Sequence, residues 1–129
     1  MNLFCLVTAK GGEGERFLQA ATPLFAQDKV EVFRDVETFA ERLRKPRDPS
    51  CAVLAVGPSH GDMRRIVSLR EFLKDARILL VLDDQNEETI SLVHKTLPTY
   101  ISYLDNGTAG IVTVLKQVMK GSGVKEMEP

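Results

Sequence analysis

Five short apolar runs punctuate the chain: Leu3 to Val7, Val30 to Phe33, Ala52 to Val56, Ile78 to Leu82 and Tyr100 to Leu104. The first, third and fourth are apolar at every position, the pattern of strands buried on both faces. Between the runs, apolar residues recur at helical spacing. Phe17, Ala20, Ala21, Leu24 and Phe25 follow the first run, and Val36, Phe39, Ala40 and Leu43 follow the second. Met63, Ile66, Val67, Leu69 and Leu73 follow the third, then Ile90, Val93 and Leu97 the fourth. Ile111, Val114, Leu115 and Val118 follow the fifth. Each set predicts one amphipathic helix with those residues inward.

Breakers and caps fall between these segments. Pro23 lies inside the first helical pattern, where a missing donor and a clashing ring should kink or shorten the helix. Asp35 is placed to cap the second helix, which Pro46 and Pro49 close. Gly57-Pro58 stops the third strand, and Asp83-Asp84 ends the fourth. The region of Asn86 opens the fourth helix and Pro98 ends it; Asn106 or Thr108 begins the last.

Strand then helix, five times over, predicts a parallel sheet covered on both faces. Right-handed crossovers make this a doubly wound (βα)5 domain of strand order 2-1-3-4-5, the flavodoxin-like arrangement. In such folds function gathers at the carboxyl ends of the strands.

Composition narrows the classes. With 129 residues, 43% hydrophobic and 27% charged, the chain makes one ordinary domain, expected over residues 1–120, with a polar flexible tail over 121–129. Seventeen basic against eighteen acidic residues leave a net charge of −1. That removes the broad electrostatic drive toward nucleic acid. The local basic cluster of Arg42, Arg44, Lys45 and Arg47 reads as a solvated helix end. Cys5 and Cys51 sit inside apolar runs, which predicts buried free thiols in a reducing cytoplasm and no metal site. The start, Met1-Asn2-Leu3-Phe4, is too short and uncharged for a signal peptide, and no apolar run is long enough to enter a membrane.

Three segments carry a family resemblance. Pro49-Ser50-Cys51-Ala52-Val53-Leu54-Ala55-Val56 resembles the proline-started third strand of receiver domains from bacterial two-component response regulators. Arg77-Ile78-Leu79-Leu80-Val81-Leu82 is similar to their fourth strand, and Tyr100-Ile101-Ser102-Tyr103-Leu104 to their fifth. The resemblance implies a phosphorylation switch. In receivers, acids after the first strand hold Mg²⁺ and an aspartate ending the third takes the phosphoryl group. A Ser or Thr ending the fourth strand and a Lys in the fifth bind the phosphoryl oxygens, offsetting the developing charge. Here the first strand ends in Thr8-Ala9-Lys10 and the third in Leu54-Ala55-Val56-Gly57, without an acid. Leu82 stands at the Ser/Thr position and Tyr103-Leu104 at the Lys-Pro pair, while Tyr100 sits at the switch aromatic.

Other constellations invite chemistry. Lys10-Gly11-Gly12-Glu13-Gly14-Glu15-Arg16 resembles the phosphate loop of partition-type ATPases. Glu15, however, occupies the lysine position and Arg16 the Mg²⁺-binding hydroxyl, so a glycine turn is the simpler reading. Lys10, Gly11, Gly12, Gly14 and Arg16 remain a possible anion loop. Asp35, Asp83, Asp84 and Asp105 lie near strand ends as a potential acidic rim, though helix capping explains each. His60, in Ser59-His60-Gly61-Asp62, and His94 read as surface residues.

The expectation is therefore a non-enzymatic pseudo-receiver in bacterial signalling or regulation, acting without cofactor and without phosphorylation. It docks a protein, or a second copy of itself, through the face of the fourth helix, fifth strand and fifth helix. That face includes Leu97, Tyr100, Tyr103 and Leu104. The alternative is a flavodoxin-like binder or enzyme that takes a small phosphate-bearing ligand on the Lys10 to Arg16 loop.

Overall fold

A computed structural model describes residues 1–9, 12–48, 50–83 and 86–120. Lys10, Gly11, Asp84 and the expected tail lie outside these described residues. The elements run β1 (Asn2–Val7), α1 (Glu13–Ala21), β2 (Val30–Phe33), α2 (Val36–Leu43), β3 (Cys51–Val56), α3 (His60–Ser68), α4 (Arg70–Leu73), β4 (Arg77–Leu82), α5 (Glu87–Lys95), β5 (Tyr100–Tyr103) and α6 (Ala109–Met119). All five strands pair in parallel, in the order β2-β1-β3-β4-β5, so the doubly wound, flavodoxin-like α/β fold is present.

The strand alternation sorts the core into two layers. Phe4, Leu6, Val53, Ala55, Leu80 and Leu82 face α2, α3 and α5, where Phe39, Met63 and Val93 are buried. Leu3, Cys5, Leu54, Val56 and Val81 face α1 and α6, where Phe17, Ile111 and Leu115 are buried. Among the described residues no helix is long and apolar enough to cross a membrane.

Local chemistry sets the boundaries. Pro23 shortens α1 as expected: the helix stops at Ala21 and Thr22–Leu24 continues as one 3₁₀ turn with the proline at its start. The Asp35 carboxylate accepts the Thr38 N–H at 2.9 Å and caps α2. The third helical pattern is divided at Leu69, giving α3 and the single turn α4, with Ile66, Leu69 and Leu73 still inward. Both thiols are buried, and burial pushes the Cys5 thiol up to about 12. The basic cluster does mark a helix end: Arg42 pairs with Glu31 at 2.9 Å, and Arg47 donates to the Leu43 carbonyl at 2.8 Å.

One inward residue was misplaced by the helical pattern. Leu97 is 79% exposed, not inward. The helix α5 ends at Lys95 because Pro98 disfavours helical backbone at the residue before it. Leu97 instead takes φ +54°, the left-handed position just past a helix end, which swings its side chain away from the core.

Candidate functional site

The carboxyl ends of the strands open into a cleft of about 730 Å³, within the range of small-molecule sites. Thr8 and Ala9 follow β1, Gly57 and Pro58 follow β3, Asp83 follows β4 and Leu104 follows β5; all line the cleft. Three helices aim their N-termini there. Ser59 caps α3 in a reciprocal capping box with Asp62, and Asn86 caps α5 by accepting the Glu88 N–H at 2.9 Å.

The floor is backbone and small side chains. The N–H groups of Thr8 and Ala9 both donate to the Val56 carbonyl at 3.1 Å, and the Thr8 hydroxyl donates to the Gly57 carbonyl at 3.1 Å. The Gly57 N–H donates to the Val81 carbonyl at 2.8 Å. Gly57 has φ +69°, and a Cβ built on it would lie 2.4 Å from the Ala9 methyl and 2.8 Å from the Ala9 Cα. No side chain fits at 57 unless β1 and β3 separate. Beneath lie Val7, Val56 and Val81 in register, all buried.

The walls are acidic. Glu13, Asp62, Asp83 and Glu88 line the cleft, and no Lys or Arg is among its described lining residues. His60 is the one imidazole there. No described cluster of three or more His, Cys, Asp or Glu side chains could hold a metal ion. The acidic rim is only partly assembled. Asp83 lines the cleft, whereas Asp35 and Asp105 do not. Asp35 is occupied with Thr38, whose hydrogen bonds hold its carboxyl below the usual carboxylate range.

The glycine loop does not form a cradle among its described residues. Arg16 donates to the Leu104 carbonyl at 2.7 Å and so straps α1 to the end of β5. Glu15 pairs with Arg34, whose hydrogen bond lowers its pKa. Gly12 is exposed, with open space where its Cβ would be. Gly14 is not a turn residue: it is buried in α1, where a Cβ would meet Val7 Cγ1 at 2.8 Å. Its role is close helix–strand packing.

The docking face, in the structure α5, β5 and α6, is also rearranged. Tyr100 and Tyr103 are three apart on a strand and therefore point to opposite faces. Tyr103 packs on the core beside α5, and Tyr100 on the core beside α6, with its hydroxyl over Gly110. Both are half-buried, whereas Leu104 is 6% exposed and belongs to the core. Only Leu97 of the four is a freely exposed apolar side chain.

Sequence reasoning missed most of the cleft lining, including Thr8, Glu13, Ser59, Asp62 and Glu88. A Ser-x-x-Asp spacing at 59 and 62 was a readable capping signal that would have aimed the start of α3 at the strand ends. No protein-family model matches the chain, and comparison with curated proteins gives no match.

Proposed function

We propose that this chain is a phosphorylation-independent, receiver-like module that docks a protein partner in bacterial regulation. The observation that carries this reading is the cleft floor. On this reading the ends of β1 and β3, where receivers hold and take a phosphoryl group, carry no acid among the described residues, only Ala9 packed on Gly57 above Val7 and Val56. Phosphoryl transfer to an acceptor carboxylate needs countercharge around the transferred group. The walls supply carboxylates instead, which repel a phosphate dianion. The remaining surface resource on the α5–β5–α6 side is Leu97 together with the rims of Tyr100 and Tyr103.

The test pairs two measurements. Intact mass after acetyl phosphate with Mg²⁺ is expected to be unchanged; a stable phosphoryl adduct would overturn the reading. Partners cross-linked in the native host and identified by mass spectrometry are expected to be lost with Tyr103→Ala. An unchanged partner set with Tyr103→Ala would remove this face from the proposal.

The size of the cleft supports a second reading, a flavodoxin-like small-ligand binder. Its walls favour a cationic or neutral ligand over a phosphate. A thermal-shift screen separates the two readings, because a ligand of the native state raises the melting temperature.

A further inference from the structure

The opposite end of the sheet carries its own surface. Two pits flank the turn from α4 to β4, one of about 360 Å³ and one of about 240 Å³. They share Glu71, Lys74 and Ala76 and so form one continuous surface. Lys45, Arg47 and Lys74 line the larger, and Arg70, Lys74 and Lys95 the smaller; Glu71 and Asp75 are the only carboxylates among the described lining residues. Phe72, 41% exposed, lines the first, and Leu97, 79% exposed, lines the second. Large apolar side chains this exposed are few among the described residues, and each of these pits is lined by one of them.

We infer that this surface docks an acidic protein segment that inserts large apolar side chains into the two pits. Three observations converge on that occupant. The smaller pit, about 240 Å³, falls below the usual small-ligand range of roughly 300–1,000 Å³ and the larger, about 360 Å³, sits at its lower edge, so both suit inserted side chains better than a whole ligand. Their rim is cationic, which complements glutamate or aspartate beside the anchors. Leu97 is held in a left-handed conformation that leucine disfavours, and this conformation is what presents it outward. Helix dipoles alone would favour cations at these helix ends. They offer no reason for Phe72 and Leu97 to stand among them. A nucleic acid would use the cations and leave the pits and both apolar side chains unused. The inference shares Leu97 with the receiver-like docking face, but Tyr100, Tyr103 and the acidic cleft take no part in it, so the Tyr103→Ala test does not bear on it.

The test is fluorescence anisotropy with a short labelled peptide of glutamates interspersed with leucine and phenylalanine. Saturable binding is expected, weakening as salt rises. A matching all-glutamate peptide is expected to bind at least about tenfold more weakly. Arg70→Glu with Lys74→Glu, both at exposed positions, should weaken the apolar peptide by at least about tenfold. Leu97→Gly should weaken it several-fold while raising the melting temperature, since glycine accepts the left-handed backbone. The inference fails if the apolar peptide does not bind at low salt, or if the all-glutamate peptide binds equally well. It also fails if a labelled DNA duplex binds more tightly than the peptide, or if Leu97→Gly leaves affinity unchanged. Concentration-dependent dimerisation abolished by the same charge reversals would overturn it in favour of a second copy. Each of these outcomes leaves the phosphorylation and Tyr103→Ala tests untouched.

Discussion

Gly57→Ala reports directly on the closed floor of the cleft. Two costs add at this position. An L-residue in the left-handed region loses roughly 1–2 kcal/mol relative to helical backbone. The new methyl would also lie 2.4 Å from the Ala9 methyl and 2.8 Å from the Ala9 Cα, and forcing it in costs about 1–3 kcal/mol as overpacking. The sum is about 2–5 kcal/mol, a large share of the roughly 5–15 kcal/mol that holds a domain folded. An unfolding entropy of about 2.1 cal/mol/K per residue over a domain of this length converts that into a drop in Tm of about 7–18 °C. Thermal melts followed by circular dichroism, with urea titrations for ΔG, measure it. Ala9→Gly in the same chain should return only part of the loss, about 1 kcal/mol, because the Ala9 Cα and N are backbone atoms and stay in place. A Gly57→Ala protein melting within about 2 °C of the parent would refute the reasoning, since neither strain nor clash would then be present.

Gly110→Ala makes a useful contrast. Its methyl would lie 2.3 Å from the Tyr100 hydroxyl, the far end of a side chain that can swing toward solvent, and alanine gains about 1 kcal/mol of helix propensity. Stability should change by less than about 1 kcal/mol, while Tyr100 fluorescence or near-ultraviolet dichroism shifts; a loss as large as that of Gly57→Ala would contradict this. Burial pushes the Cys5 thiol up to about 12 and raises the Cys51 thiol as well. The folded protein should therefore leave Ellman's reagent unreacted at mild pH and release both thiols in denaturant; fast reaction of either in the native state would show it accessible. The Asp35 and Glu37 carboxyls are lowered, the first by its Thr38 hydrogen bonds and the second by its hydrogen bond from Arg65. Lowered carboxyls contribute stability that is fully present above their unfolded values of about 4 and lost as pH falls through their lower folded values. Melting temperature should therefore fall in acid, and Asp35→Ala should flatten that acid limb; an unchanged limb would dismiss the cap as its source.

The strands were legible because continuous apolar runs such as Ala52 to Val56 have no other stable home than the middle of a covered parallel sheet. Pro23 and Asp35 were legible because each acts through its own backbone geometry. Leu97 was misread because a helical period was carried past the point where Pro98 stops the helix, so the proline outranked the pattern. The tyrosines were grouped by nearness along the chain, although a strand period of two already separates positions 100 and 103 onto opposite faces. Gly14 and Arg16 looked like parts of a phosphate loop until three dimensions supplied Val7 for the one and the Leu104 carbonyl, 88 positions away, for the other. Contacts of that separation leave no local mark.

The feature least visible in a net charge of −1 is its separation into two ends. In a parallel βα fold every covering helix starts at the carboxyl edge of the sheet and finishes at the amino edge. A preference for acids in first turns and bases in last turns, stabilising for each helix alone, therefore accumulates. Glu13, Asp62 and Glu88 lie in first turns, and Arg42, Lys95 and Lys116 in last turns, while Glu37 and Arg65 pair with each other at 2.8 Å and stand outside the separation. The acidic cleft and the basic pits follow from topology combined with an ordinary helix rule, and charge alone assigns function to neither. What the rule leaves unexplained separates the two ends. At the cleft it is a glycine in a left-handed conformation pressed on Ala9, which closes the floor against a side chain. At the pits it is an exposed leucine in the same conformation, which leaves an apolar side chain projecting from a cationic surface. The same left-handed backbone keeps a side chain out of the cleft floor at one end of the sheet and projects one from the surface at the other.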